Sequence, residues 1–234
     1  MMRVVSYNVS GGFDVGAAAS VLRRLAPTIV CVLERPGRRR LRRLARDSNL
    51  EVAAHAGRRG SGTAILVDGS VRVLATARVP LTAPKDVPTR EATQAIVGVR
   101  GHRLSVTAVQ LGLRPDVRRT NHEELVAYLD SISLPKVIGA DLNESVRSPV
   151  AADLATRFQD AHGVVTGIAG ETYPTTDPST RQDFVFVDPS LEVLDCRVAT
   201  HPPADIASHH LPVVADLASD TDPDADTDEE RTVT

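Results

Sequence analysis

The sequence is poor in aromatic and sulfur-containing side chains. Aromatic residues make up 3% of its 234 residues, tryptophan is absent, and there are two cysteines. A core of this composition must be mostly aliphatic, and two cysteines are too few for a disulfide framework. Cys31 and Cys196 each lie among aliphatic residues of a predicted strand. We therefore expect two buried free thiols rather than a disulfide or a metal site.

Long apolar segments are also missing. No apolar run approaches the about 20 residues that a membrane-spanning helix requires. The N-terminus has no charged segment followed by an apolar one, as a secretory signal would have. We expect a soluble, cytoplasmic protein with no membrane partner, and the length fits one α/β domain with a sizeable core.

Charge is unevenly distributed along the chain. The formal net charge of -3 comes from 27 Lys and Arg against 30 Asp and Glu, and seven of the acids but one Arg fall in residues 218–234. That segment of Asp, Thr and Pro has almost no apolar content, so we predict a disordered acidic tail after a folded domain of residues 1–217. The tail is either a solvated end that aids solubility or an autoinhibitory arm that mimics phosphates.

Arginines are clustered in the remaining, mildly basic body of the chain. A guanidinium-rich face beginning directly after Glu34 could bind phosphates. The same residues could instead form the solvated face of a helix, and no aromatic residues are interleaved with them to stack bases. The cluster comprises Arg35, Arg38, Arg39, Arg40, Arg42, Arg43 and Arg46, followed later by Arg58, Arg59, Arg114, Arg118 and Arg119.

Polar residues typical of active sites close or interrupt runs of aliphatic residues at widely separated positions. If the runs are strands, a sheet could gather these side chains at one edge into an acidic pocket for a divalent cation. Such a pocket indicates metal-assisted phosphoester hydrolysis. The segments are Ser6-Tyr7-Asn8-Val9, Glu34 after Ile29–Leu33, Gly139-Ala140-Asp141-Leu142-Asn143, Arg181-Gln182-Asp183-Phe184 and Ser208-His209-His210-Leu211-Pro212.

In this order and with these neighbours, the polar segments resemble those of the endonuclease/exonuclease/phosphatase superfamily over residues 3 to 216. The resemblance implies an α/β (α+β) fold, a four-layer sandwich of two packed mixed β-sheets flanked by helices. Hydrophobic periodicity agrees, and Gly101-His102 is predicted to form a hairpin turn. It predicts helices at 14–25, 37–48 and 116–132, and strands at 3–9, 28–33, 51–56, 62–67, 71–79, 92–100, 103–111, 136–140, 183–187, 192–198 and 211–216.

The resemblance also implies a set of metal ligands. Glu34 offers the carboxylate oxygen that a hard cation prefers, and Asn8 either completes the shell or orients Glu34. The family usually has an acid where this chain has His209, which would soften the ligand set towards manganese or zinc. We expect Mg²⁺ or Mn²⁺ as the cofactor.

Catalytic roles are implied in the same way. Asp141 would orient or deprotonate the attacking water, and Asn143 would hold a phosphate oxygen; an Asx turn is the alternative for this pair. Asp183 would fix the tautomer of His210 and keep it cationic. Gln110 stands where the family commonly has His, and it can donate a hydrogen bond to phosphate but cannot carry charge.

Substrate binding is assigned to arginines, and the substrate itself stays open. We expect Arg181, Arg58 and Arg38 to contact phosphates. A metal-dependent phosphodiesterase or nuclease with a metal-activated water is favoured by the arginine clusters. A phosphatase for a small or lipid-derived phosphoester is favoured by the lack of stacking platforms. A catalytically weakened member that binds a phosphorylated ligand or a partner protein is favoured by Gln110 and His209.

Overall fold

The computed structural model describes residues 1–167 and 170–218. They form two six-stranded sheets with helices around them. The elements are β1 Met2–Asn8, α1 Val15–Leu25, β2 Ile29–Leu33, α2 Arg38–Asp47, β3 Glu51–His55, β4 Ala64–Val67, β5 Arg72–Leu81, β6 Arg90–Val99, β7 His102–Gln110, α3 Pro115–Asp130, β8 Lys136–Asp141, α4 Pro149–Arg157, β9 Gln159–Asp160, α5 Ala161–Thr166, β10 Asp183–Val187, β11 Val193–Val198, α6 Ala204–Ala207 and β12 Val213–Leu217.

Both sheets are mixed. The first has the order β11-β12-β1-β2-β4-β3 and the second β5-β6-β7-β8-β10-β9. Each contains a central parallel pair, β1 with β2 and β7 with β8, and its other pairs are antiparallel. The predicted mixed two-sheet architecture is confirmed.

Aliphatic side chains fill the space between the sheets and beneath the helices. The central cluster joins strands of both sheets and contains Cys31 and Cys196, which are buried free cysteines as expected. A second cluster packs α1, α2 and α6 on the first sheet, and a third packs α3 and α4 on the second. Each sheet therefore buries both of its faces, as the four-layer sandwich requires.

Several local predictions need correction or lie outside the described residues. The turn expected at Gly101-His102 is formed by Arg100 and Gly101, whose positive φ angles of 50° and 80° suit a two-residue hairpin. Residues 149–166, for which no element was predicted, contain α4 and α5, and Ser148 caps α4. Apart from Ala218, the predicted acidic tail lies beyond the described part of the chain. Among the described helices, none combines the length and apolarity needed to cross a membrane.

Strand direction brings the polar segments to one edge of the sandwich. Parallel strands β1 and β2 end at Asn8 and Leu33, which are register partners, and parallel strands β7 and β8 end at the partners Gln110 and Asp141. Strands β10 and β12 run antiparallel to their neighbours, so both begin at this same edge.

Gly139 lets the two sheets approach one another just before that edge. A Cβ atom at this position would lie 2.3 Å from Cys31 Cβ on the facing sheet. Any larger residue would force the sheets apart. Because Asp141 follows two residues later, this close approach sets how near it lies to the side chains of the first sheet.

Candidate active site

Six polar side chains meet at this edge and form what we call the carboxylate pocket. Five of them are buried, whereas Glu34, which follows β2 with a φ of 47°, is partly exposed. The members of the carboxylate pocket are Asn8, Glu34, Gln110, Asp141, Asp183 and His210.

Asp183 and His210 form a hydrogen-bonded pair that joins the two sheets. His210 Nδ1 lies 2.8 Å from Asp183 Oδ2, which also accepts a 2.6 Å hydrogen bond from Thr172 Oγ1. Burial opposes the charged imidazole, but the negative charges of Asp183, Asp141 and Glu34 outweigh it and raise the pKa of His210 to about 9. The imidazole is therefore protonated at neutral pH.

Asn8 and His210 direct hydrogen-bond donors towards the same space. Asn8 Nδ2 lies 3.5 Å from His210 Nε2 and donates to Asp141 Oδ2 at 2.9 Å. When His210 is protonated, both nitrogens carry hydrogens and cannot bond to each other. They can instead converge on an anionic oxygen, such as that of a phosphoryl group.

Asp141 is the most enclosed carboxylate of the pocket. Burial first, and then the charge of Asp183, raise the pKa of Asp141, while His210 and hydrogen bonds from Asn8 and the Asn143 backbone act in the opposite sense. A buried carboxylate with a raised pKa has the properties of a general base.

Asn143 follows the end of β8 and turns back onto Asp141. Its φ is 50°, its backbone N–H donates to Asp141 Oδ1 at 2.9 Å, and its Nδ2 donates to the carbonyl of Leu111 at 2.8 Å. This is an Asx turn, the alternative considered for the pair. The turn fixes the position of Asp141 Oδ1. One of the two Asn143 amide hydrogens is already bonded to the backbone carbonyl of Leu111.

Gln110 bridges two carboxylates, and sequence reasoning missed its partner. Gln110 Nε2 donates to Glu34 Oε1 at 2.8 Å and to Asp141 Oδ2 at 2.9 Å, while its Oε1 accepts from the guanidinium of Arg90. Both amide hydrogens are therefore engaged within the protein, and neither is directed at a phosphate. Arg90 is buried at the start of β6 and places a positive charge next to the neutral amide of Gln110. No motif in the sequence marks it.

Two predicted site residues lie elsewhere. His209 is exposed and packs against the ring of Phe13, at 4.9 Å between centroids. Its neighbour His210 is buried in the carboxylate pocket, whereas the His209 side chain lies outside it. Arg181 is buried, pairs with Asp160 and lies 4.7 Å from the Phe184 ring centroid. A buried guanidinium requires such a partner, and the structure places neither His209 nor Arg181 in the carboxylate pocket.

Arg38 and Arg58 are exposed at the surface, where they can meet an anion. Arg38 begins α2 beside His55. Arg58 belongs to the loop 57–62, whose Gly60 approaches Gly11, and the Gly11 N–H donates to the carbonyl of Glu34. Neither joins the carboxylate pocket itself.

The donor set of the pocket suits a hard divalent cation. Asp141, Asp183 and His210 each offer an atom within 4.8 Å of the others and could hold a metal ion. Asp183 Oδ1 is buried without a hydrogen-bond partner among the described residues, as expected of an oxygen left for a ligand. The carboxylate oxygens of Asp141 and Asp183 are hard donors, and such donors suit Mg²⁺ and Mn²⁺.

A two-sheet sandwich with buried carboxylates and an Asp–His pair at one edge defines a class of phosphoesterases. The chain belongs to the endonuclease/exonuclease/phosphatase family, whose model matches residues 5–220. Members of this family are phosphoesterases that typically depend on a divalent metal. No curated protein sequence matches this chain significantly.

Solved structures share the fold at low sequence identity. A functionally unknown conserved protein from Enterococcus faecalis V583 has a TM-score of 0.82 at 19% identity, covering 94% of this chain and 100% of that one. The mannosyl-6-phosphatase of Bacteroides thetaiotaomicron has 0.81 at 14%, covering 93% and 100%. The human Nocturnin catalytic domain has 0.74 at 16%, covering 93% of each chain.

Proposed function

We propose that this chain is a divalent-metal-dependent phosphodiesterase that hydrolyses nucleic acid by attack of water. The observation that carries the proposal is the Asp183–His210 pair beside the buried carboxylate of Asp141. This arrangement supplies a cationic donor for a phosphoryl oxygen and a carboxylate that can accept a proton from water.

Each residue of the carboxylate pocket has a proposed part. Glu34 would hold Mg²⁺ or Mn²⁺ with a further oxygen from Asn8 or Asp183. When bound, the cation neutralises phosphate charge and lowers the pKa of water. Asp141 orients the water and takes its proton, and Asn8 and His210 bind the phosphoryl oxygen. Gln110 keeps Glu34 and Asp141 at a fixed separation.

Nucleic acid is the favoured substrate because positive charge is concentrated beside the pocket. Arg38, Arg39, Arg42 and Arg43 are exposed on α2, which follows Glu34 closely in sequence. Burial lowers the pKa of His55, and the charges of Arg35, Arg38, Arg78 and Arg42 lower it further. An exposed surface of this kind attracts a polyanion.

The proposal is tested by hydrolysis of bis(p-nitrophenyl) phosphate, p-nitrophenyl phosphate and plasmid DNA with Mg²⁺, Mn²⁺ or EDTA. We expect EDTA to abolish turnover, with the diester and DNA preferred over the monoester. Asp141→Asn should lower kcat by about 10² to 10⁴-fold, as for loss of a general base. Glu34→Gln should raise the metal concentration for half-activation by about 10 to 100-fold.

Asp68→Asn is the matched control, because Asp68 follows β4 at the opposite edge of the first sheet. It should keep the wild-type rate and metal dependence. Wild-type rates in Asp141→Asn, or turnover that persists in EDTA, would contradict the proposal. A monoester preferred over both diesters would instead favour a small-molecule phosphatase.

A further inference from the structure

The two exposed aromatic side chains of the protein line one cavity. All seven Phe and Tyr residues lie in the described part of the chain, and only Phe13 and Tyr173 are exposed, at 62% and 38%. Both line a cavity of about 640 Å³, together with Ile206, which is 60% exposed. Exposing such groups to water is unfavourable unless a ligand covers them. We call this space the aromatic cavity.

The aromatic cavity lies next to the carboxylate pocket. The Tyr173 ring lies 4.8 Å from the His210 ring, centroid to centroid, and the Phe13 ring lies 4.9 Å from that of His209. Since His209 and His210 are consecutive, the two ring pairs lie side by side. A group bound in the aromatic cavity could therefore be part of the same molecule as a phosphate bound by His210.

The walls of the cavity are held together by hydrogen bonds. Thr175 donates from its backbone N–H to the carbonyl of His209 at 2.9 Å and from Oγ1 to the carbonyl of Ser208 at 2.9 Å. These bonds tie the segment that carries Tyr173 to the segment that carries both histidines. Because these walls are preorganised, less conformational entropy is lost when the cavity binds a ligand.

The lining fits a planar ring with few polar atoms. Asp205 provides one carboxylate that can accept from N–H groups, Thr176 one hydroxyl and His209 one imidazole, whereas the hydroxyls of Thr175 and Ser208 are already engaged. A sugar would need more polar partners than these for its hydroxyls. A base presents apolar faces for stacking and N–H donors at its edge.

Positive charge continues from the cavity along the direction that a strand could take. Arg40 on α2 donates to the carbonyl of Gly12 at 3.2 Å, directly before Phe13. The exposed arginines of α2 thus begin where the aromatic cavity ends. This complements a ligand that joins a base to further phosphates.

We infer that the aromatic cavity binds a nucleobase attached to the scissile phosphate, stacked between Phe13, Tyr173 and Ile206, with Asp205 accepting from its edge. The inference rests on the proposed phosphodiesterase function and adds the part of the substrate that the protein recognises.

The test compares two diesters with the same leaving group, thymidine 5′-(p-nitrophenyl phosphate) and methyl p-nitrophenyl phosphate. In the wild type, kcat/KM should be at least about tenfold higher for the thymidine ester, the contribution expected of one stacked base. Phe13→Ala and Ile206→Ser should each lower that ratio about five to tenfold. Leu194→Ala, an exposed leucine that does not line the cavity, should keep the wild-type ratio.

The two proposals fail in different ways. Hydrolysis of the methyl ester with no preference for thymidine, or with a preference unchanged in Phe13→Ala, would overturn the base site and leave the hydrolase standing. If neither ester reacts, the hydrolase proposal fails, and calorimetry with thymidine 5′-monophosphate decides the base site. Weaker binding by Phe13→Ala would support it, and no binding or equal binding would overturn it.

A ten-residue oligothymidylate separates two sources of the base. Slower cleavage of the oligonucleotide by Phe13→Ala would indicate that the base belongs to a nucleic-acid strand. An effect confined to the thymidine ester would indicate a free nucleotide. Either result supports a base site.

Discussion

The carboxylate pocket and the surface of α2 are both charged, yet they are built differently. In the pocket, contacts join residues far apart in sequence, as between Asn8 and His210, and the side chains depend on one another. On α2 the arginines are exposed, and Arg43 and Arg46 find an ion-pair partner in the adjacent Asp47. The carboxylate pocket depends on the order and direction of the strands, whereas the charge of α2 follows from the arginines of one short segment.

This difference predicts different energetic behaviour. Removing one partner in a buried network leaves another polar group without a hydrogen bond in a medium of low dielectric constant. An ion pair of an exposed arginine contributes roughly 0 to 1 kcal/mol to the free energy of unfolding, and salt screens its charge. Substitutions in the pocket should therefore have large and coupled effects, and substitutions on α2 small and additive ones.

Among the arginines, the largest effect should come from one that belongs to the carboxylate pocket and not to the surface. Arg90→Met removes the only described donor to Gln110 Oε1 and a positive charge near Glu34 and Asp141. The amide of Gln110 can then turn its oxygen towards the carboxylates. We expect kcat to fall by about 10² to 10³-fold, as when a donor is lost from an active site. Steady-state kinetics, with partial rescue by Arg90→Lys, would check this.

Arg181→Met is the comparison for Arg90→Met, because both arginines are buried. Arg181 pairs with Asp160 instead of the carboxylate pocket. Its loss should lower the free energy of unfolding by about 3 to 5 kcal/mol and keep kcat per folded molecule. Equal loss of kcat in both variants would mean that Arg90 acts only through stability.

A smaller effect should come from the charge of His210. Because its pKa in the folded state, about 9, exceeds the ordinary value of 6.5, the proton stabilises the fold below pH 6.5. This contribution, roughly 3 kcal/mol at most, is lost as the pH rises from 6.5 through 9. Urea unfolding in EDTA should show the loss in the wild type and not in His210→Asn. Parallel pH profiles for the two proteins would contradict the raised pKa.

The comparison also shows which features the sequence could predict. Asn8, Asp141 and Asp183 each end or begin an apolar run, and strand direction alone brings such residues to one edge. Arg90 begins a ten-residue strand with no motif around it, so its contact with Gln110 depends on sheet order. Arg181 is buried in an ion pair with Asp160, and Asp160 lies on a strand of two residues that hydrophobic periodicity does not reveal. Phe13 and Tyr173 line one cavity only because two loops that are distant in sequence lie side by side.

The smallest effects should come from the exposed arginines, and salt dependence is the measurement that isolates them. Arg38→Gln and Arg58→Gln should each weaken binding of a single-stranded oligonucleotide a few-fold and reduce the slope of log Kd against log salt by about 1. Arg103→Gln is the control, because Arg103 is exposed at the start of β7, away from the edge that holds the pocket. If all three variants reduced the slope equally, nucleic acid would be bound by overall charge and not by the surface beside the pocket. If Arg38 and Arg58 alone reduced it, each would contact a phosphate of the bound strand.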